Sequence, residues 1–163
     1  MAVLVTGGAG YIGSHTAVAL HEAGREVVLI DNLVNSSPAA VDAIRALTTP
    51  ELVFVEGDLR HRAQLDAVFE AYDIDEVIHF AAHKSVGQSV SAPLEYYDNN
   101  LGATIGVAEA MVKHGVRKLV FSSSCTVYGQ PDVIPVTERA PIRAESPYAV
   151  SYTHLTLPTI LRV

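Results

Sequence analysis

Gly7-Gly8-Ala9-Gly10-Tyr11-Ile12-Gly13 follows the apolar run Val3-Leu4-Val5-Thr6 and precedes a helical pattern ending near Ala23. A second apolar run, Val27 to Ile30, then closes on Asp31. A glycine-rich turn between strand and helix, with an acid at the end of the next strand, suits a dinucleotide. Gly7 permits a tight turn, Gly10 lets a pyrophosphate approach the backbone, and Gly13 lets the helix pack close to the strand. The helix N-terminus offers N–H groups and partial positive charge to phosphates. Asp31 can accept hydrogen bonds from both adenosine ribose hydroxyls. Its charge repels a 2′-phosphate, and no arginine follows at once, which favours NAD over NADP. No Gly-Lys-Ser/Thr follows the glycines, so a phosphate-binding loop of the NTPase kind is excluded.

A second constellation lies further on. Ser122-Ser123-Ser124 follows the apolar run Lys118 to Phe121, and Ser146-Pro147-Tyr148 opens another segment. A serine and a tyrosine so placed can converge on one substrate hydroxyl. Tyrosine alone is a poor base: with a pKa of about 10, ionising it at neutral pH costs roughly 4 kcal/mol. A nearby cation must lower that cost. A lysine one helical turn on would do so, because residues four apart share a helix face.

These residues need a frame. Helical patterns run over Ile12 to Ala23, from Pro38 through Val41, Ile44 and Leu47, over Asp58 to Tyr72, and over Pro93 to His114. Between them stand strand patterns at Val27–Ile30, Leu52–Val55, Glu76–Phe80 and Lys118–Phe121. Alternation of buried strands with helices predicts an α/β fold, a doubly wound parallel sheet of Rossmann-like type. Ligands lie at the carboxyl ends of the strands in such sheets. That directs attention to 6–13, 31–32, 58–59, 80–84 and 122–124.

The bulk numbers narrow the function further. A length of 163 residues makes one domain the default. A net charge of −7 without any basic run argues against nucleic-acid binding. The single cysteine, Cys125, forms no internal disulfide, which suits a reducing compartment. With no signal-peptide pattern and no apolar stretch of membrane-spanning length, a cytoplasmic protein without membrane association is expected. His79 and His83 straddle a strand end and read as structural or surface residues, so no metal site is expected. Cys125 reads as a buried spacer, and Tyr96 and Tyr97 as packing residues.

Several segments together resemble the nucleotide-sugar 4-epimerases of the extended short-chain dehydrogenase/reductase family. They are Thr6 to His15, Asp31-Asn32-Leu33, Gly57-Asp58-Leu59-Arg60, His79 to Gly87, Tyr96 to Asn100 and Phe121 to Gly129. The resemblance runs from Met1 to about Tyr148. It implies NAD as cofactor, a UDP-hexose as substrate and a homodimer formed through the Pro93–His114 helix and its neighbour. It further implies that Tyr11 and Ile12 touch the pyrophosphate through their backbone. Asp31 and Asn32 would hold the adenosine ribose, and Asp58 and Leu59 the adenine. Phe80, Ala81 and Lys84 would line the nicotinamide side, with Asn99 beside them or the substrate. Ser122 falls in the same set. Ser124 would bond the sugar 4-hydroxyl, and Tyr148 would remove its proton. The implied reaction interconverts UDP-glucose and UDP-galactose by oxidising C4 to a ketone and reducing it from the opposite face.

The pattern departs from the family after Tyr148. The family has lysine four residues on, where this chain has Tyr152. Threonines and Pro158 oppose a helix over Ser151 to Thr159. That tail also resembles translated sequencing-adapter read-through. The expectation is a NAD-binding domain over 1–150, an atypical tail over 151–163, a fold incomplete at its C-terminus, no substrate domain, and little epimerase activity. Two other readings stay open: a non-catalytic NAD-binding module, and another nucleotide-sugar epimerase or dehydratase. Against dehydration, Thr126 is followed by Val127-Tyr128 rather than Asp-Glu.

Overall fold

The computed structural model describes residues 1–153. Five strands form one parallel sheet: β1 (Ala2–Thr6), β2 (Glu26–Asp31), β3 (Val53–Glu56), β4 (Ile74–His79) and β5 (Lys118–Phe121). Their order is β3-β2-β1-β4-β5. The chain winds outward from β1 through β2 to β3, then returns to the other side of β1 for β4 and β5. The order therefore reverses between β1 and β4, and a crevice opens there at the carboxyl edge.

Helices α1 (Tyr11–Glu22), α2 (Pro38–Leu47), α3 (Arg62–Ala71) and α5 (Pro93–His114) accompany the strands; α4 (Val86–Ser91) and α6 (Pro147–Thr153) are shorter. Side chains alternate across β1, so both faces of the strand must be covered. Val3 and Val5 pack with Ala17 of α1 and Ile44 of α2. Ala2 and Leu4 pack with Leu65 and Phe69 of α3 and with Val107 and Met111 of α5. These side chains are nearly free of solvent. Burying each of the larger ones, Val, Leu, Ile, Phe and Met, is worth about 1.5–3 kcal/mol.

The residues group into two compact units. One comprises Met1–Ala82 with Gly102–Ser122 and holds the whole sheet; the other comprises His83–Leu101 with the described part of Ser123–Val163. Their boundary falls within helix α5.

Three local differences from the sequence expectation have clear causes. The helix expected from Asp58 starts at Arg62, because Asp58 turns the chain first: its carboxylate accepts the Arg60 N–H at 2.9 Å and its carbonyl the His61 N–H at 2.9 Å. Helix α4 was not expected. Its signal is Ser85-x-x-Gln88, an N-cap pattern in which the Ser85 hydroxyl accepts the Gln88 N–H. Third, α6 continues through Ser151, Tyr152 and Thr153, where a non-helical tail was expected. The hydroxyls of Ser151 and Thr153 bond back to the carbonyls of Pro147 and Val150, both at 2.9 Å, so the helix keeps them satisfied. Pro158 and the remainder of the tail lie outside the described residues.

Candidate functional site

The sheet-bearing unit gathers Gly7, Gly10, Tyr11, Ile12, Gly13, Asp31, Asn32, Asp58, Leu59, Phe80, Ala81 and Ser122 along the carboxyl ends of its strands. Gly7 leaves β1 with φ +67°, and a Cβ there would stand 2.7 Å from the Ala81 nitrogen. Only glycine allows both the turn and this approach of the two strand ends at the switch point. At Gly13 a Cβ would collide with the Gly7 carbonyl. The turn is pinned by Gly7 N–H to Ile30 O at 2.9 Å, and β4 continues by Phe80 N–H to Thr6 O at 3.0 Å. Ser122 joins the same edge through its N–H to His79 O at 3.1 Å.

Gly10 caps α1 without a side-chain bond, and no acidic residue occupies the first turn. The N–H groups that open this helix thus keep their capacity for an anion. The side chains of Tyr11 and Ile12 are exposed. A backbone cradle closed to any Cβ, leading into an uncapped helix start, fits a pyrophosphate.

Asp31 is built into its loop. Oδ1 accepts the Leu33 N–H and the Ser36 hydroxyl, each at 2.9 Å, and Oδ2 accepts the Ala9 N–H at 3.1 Å. Three of about four acceptor positions are thereby used, and Oδ2 is the freer oxygen. Leu33 stands at φ +58°, a left-handed conformation that Asp31 and its partners stabilise. Asn32 lies beside the side chain of Asp58. Arg60 grips Asp58 through Nε at 3.0 Å and Nη2 at 2.7 Å, which with the Asn32 contact holds the carboxyl down at about 2. Leu59 is 5% exposed and packs in the core, so any ligand contact it makes is through its backbone.

Beneath this edge lies a group that sequence reading classed only as structural or surface. His79 is buried between Thr6 Oγ1 at 2.6 Å and Thr104 Oγ1 at 3.0 Å and stacks on Phe121. Burial pushes its pKa down to about 4, so the ring is neutral at neutral pH. It ties β1, β4, β5 and α5 together just below the glycine turn.

The second unit carries Lys84, Asn99, Ser124 and Tyr148. Ser124 caps a 3-10 turn over Cys125–Tyr128, which leaves Cys125 exposed rather than buried as expected. Its Oγ accepts the Thr126 N–H at 3.3 Å and lies 2.8 Å from Thr126 Oγ1. Tyr148 sits in the first turn of α6, which Ser146 caps by accepting the Ala149 N–H at 3.2 Å. The Tyr148 ring meets Tyr96 edge-on at 6.5 Å and Tyr152 at 5.1 Å. Tyr96 is fully buried; its hydroxyl accepts the Ser85 N–H and donates to Gln88 Oε1, each at 3.1 Å, as a packing residue would. Lys84 is exposed. Asn99 is buried and donates to Asn100 Oδ1 at 2.9 Å. Asn100 in turn brackets the His83 backbone, accepting its N–H at 2.8 Å and donating to its carbonyl at 3.0 Å, which fixes the segment carrying Lys84. Asn100 and Thr126 were missed as site residues. The Asn99-Asn100 doublet and the Ser124-x-Thr126 spacing were the only signals for them.

A parallel sheet with a glycine-rich turn at its switch point and an acid ending β2 defines a Rossmann-type dinucleotide-binding fold. The profile of the NAD dependent epimerase/dehydratase family matches residues 3–157, and the chain belongs to that family. It is 53% identical over 162 residues to a UDP-glucose 4-epimerase of Bacillus subtilis, covering 99% of this chain and 47% of that protein. Among solved structures, the UDP-glucose 4-epimerase of Bifidobacterium longum in complex with NAD+ and UDP superposes with a TM-score of 0.92. That match is 45% identical and covers 99% of this chain and 48% of the other. The corresponding enzyme of Stenotrophomonas maltophila, with bound NAD and formylated UDP-arabinopyranose, gives a TM-score of 0.91 at 47% identity, covering 95% and 46%. The chain spans about half the length of the relatives it matches.

Proposed function

We propose that the chain serves NAD-dependent 4-epimerisation of a UDP-hexose, interconverting UDP-glucose and UDP-galactose. The observation that carries the NAD half is the Gly7–Gly13 turn, pressed against Ala81 and leading into an uncapped helix. The epimerase relatives, two of them solved with NAD and a uridine nucleotide or nucleotide sugar, support the reaction.

In this reading Tyr11 and Ile12 bind the pyrophosphate through backbone N–H groups. Asp31 and Asn32 take the adenosine ribose, and Asp58 and Leu59 the adenine. Phe80, Ala81, Lys84, Asn99 and Ser122 serve the nicotinamide side. When bound, NAD supplies a reversible acceptor for the hydride on C4 of the hexose. Ser124 bonds the 4-hydroxyl, its Oγ orientation held by Thr126. Tyr148 removes the hydroxyl proton as C4 becomes a ketone and returns it when the hydride comes back to the opposite face. NAD is preferred to NADP because the Asp31 carboxylate repels a 2′-phosphate. The homodimer implied by the family is supported by Leu94 and Val112, each 80% exposed on α5. No helix among the described residues is long and apolar enough to cross a membrane, which suits a cytoplasmic enzyme.

Tyr152 favours a second reading, a NAD-binding module with little turnover. It gives Tyr148 a neutral neighbour where a cation would stabilise phenolate. The deciding experiment assays UDP-galactose conversion by the chain, beside the chain carrying Tyr152→Lys and joined to the C-terminal half of the Bacillus subtilis relative. The fusion is expected to turn over and the chain alone to bind NAD with little turnover. A fusion that folds and binds NAD but leaves UDP-galactose untouched overturns the epimerase reading.

A further inference from the structure

The loop Gly57–His61 ends β3 and carries Asp58 and Leu59, and one side chain fixes its height against α5. Arg62, the first residue of α3, folds back over this loop. Its Nη1 donates to the carbonyls of Leu59 at 3.1 Å, Arg60 at 3.4 Å and Gly102 at 3.1 Å. Its Nε donates to Glu109 of α5 at 2.6 Å. Helix α5 meets the loop with Gly106, where a Cβ would collide with both Arg62 Nη1 and the Leu59 carbonyl. Guanidinium and glycine are thus matched: one bridges two elements by their carbonyls, the other leaves room for the bridge.

We infer that Arg62 is a positioning residue for adenine recognition, holding the Asp58–Leu59 loop at the height its base contacts require. The inference rests on the proposal that this loop takes the adenine. A carboxylate accepts from the exocyclic amine of adenine and repels the carbonyl oxygen that replaces it in hypoxanthine. Loop height therefore matters more for adenine than for hypoxanthine. Lysine is no substitute, because a single ammonium cannot hold the carbonyls through one nitrogen and Glu109 through another as the planar guanidinium does.

The test is equilibrium titration of NAD and of nicotinamide hypoxanthine dinucleotide into the full chain and three variants. Arg62→Lys loosens the loop, and Gly106→Ala lifts it if the first variant fails to fold. Asp66→Asn is the control: it breaks the other α3–α5 fastening, Asp66 to Lys113 at 2.8 Å, without touching the loop. The chain is expected to prefer NAD. Arg62→Lys or Gly106→Ala should weaken NAD by about tenfold and the hypoxanthine analogue by less than about threefold, while Asp66→Asn leaves their ratio unchanged. Equal losses for both dinucleotides, or no loss, overturn the role of Arg62. An unmodified chain that binds both equally overturns the adenine assignment, and one that binds neither overturns the dinucleotide reading with it.

Discussion

Tyr152 stands one helical turn beyond Tyr148 on α6, with ring centroids 5.1 Å apart at 69°, an edge-to-face packing of the two phenols. Both are buried, at 5% and 9% exposure. Burial, and after it the neighbouring Tyr148, push the Tyr152 pKa up, so Tyr152 stays a neutral phenol. It can position Tyr148 by packing, but it adds no positive charge.

Tyr152→Lys is therefore expected to speed oxidation of the sugar. An ammonium one turn from Tyr148 stabilises a phenolate by a few kcal/mol at effective protein dielectric, or about tenfold to a hundredfold in rate. The readout is NADH absorbance after mixing the fusion protein, with and without this substitution, with UDP-galactose. An unchanged rate in a folded variant would show that Tyr148 is not the base.

Gly7→Ala forces a side chain into a left-handed position and into the Ala81 backbone. The strain is about 1–3 kcal/mol and falls on the turn proposed to hold the pyrophosphate. NAD affinity should drop by about tenfold or more. Calorimetric titration measures it, with circular dichroism to confirm folding. Undiminished binding would remove the turn from the NAD site.

Asp31→Asn loses the charge and, because its amide nitrogen cannot accept, the Ala9 bond, but it keeps the two bonds that shape the following loop. Oδ1 can still accept from Leu33 and Ser36, whereas repulsion of a 2′-phosphate disappears. The ratio of NADP to NAD affinity is expected to rise by about tenfold, read by competition titration. A ratio that does not move would mean that Asp31 does not set the cofactor preference.

Protonation of His79 supplies a pH test of the scaffold. Its folded pKa of about 4 lies below the ordinary histidine value of 6.5, so between these limits the unfolded chain binds the extra proton and the folded chain does not. Stability contributed by the neutral ring is full above pH 6.5 and is lost as pH falls towards 4. The loss is about 3 kcal/mol. Denaturant melts across this window should show the slope, and His79→Gln should flatten it. Asp58 acts lower: its carboxylate contribution is present above pH 3.8 and lost towards about 2, so the two groups separate on the pH axis.

The sheet was legible because each strand carries a short apolar run and the runs are separated by helical periods. Every strand lies within two residues of its expected start. The glycine turn was legible for a related reason: Gly7 and Gly13 answer steric demands that no other residue meets. What escaped was set by local polar bonds. Asp58 delays α3 to Arg62, and Ser85 starts α4. Hydroxyls returning to the backbone keep Ser151 and Thr153 helical. The bracing of Asp31 by Ser36, of Ser124 by Thr126, and of the loop by Arg62 depends on contacts that spacing alone does not reveal.

The measurement that tests the account most directly is calorimetric titration of NAD into the full chain. The account predicts saturable binding of one NAD per chain, weaker for NADP and reduced in Gly7→Ala. No saturable heat from a folded chain, or binding that Gly7→Ala leaves intact, would contradict it.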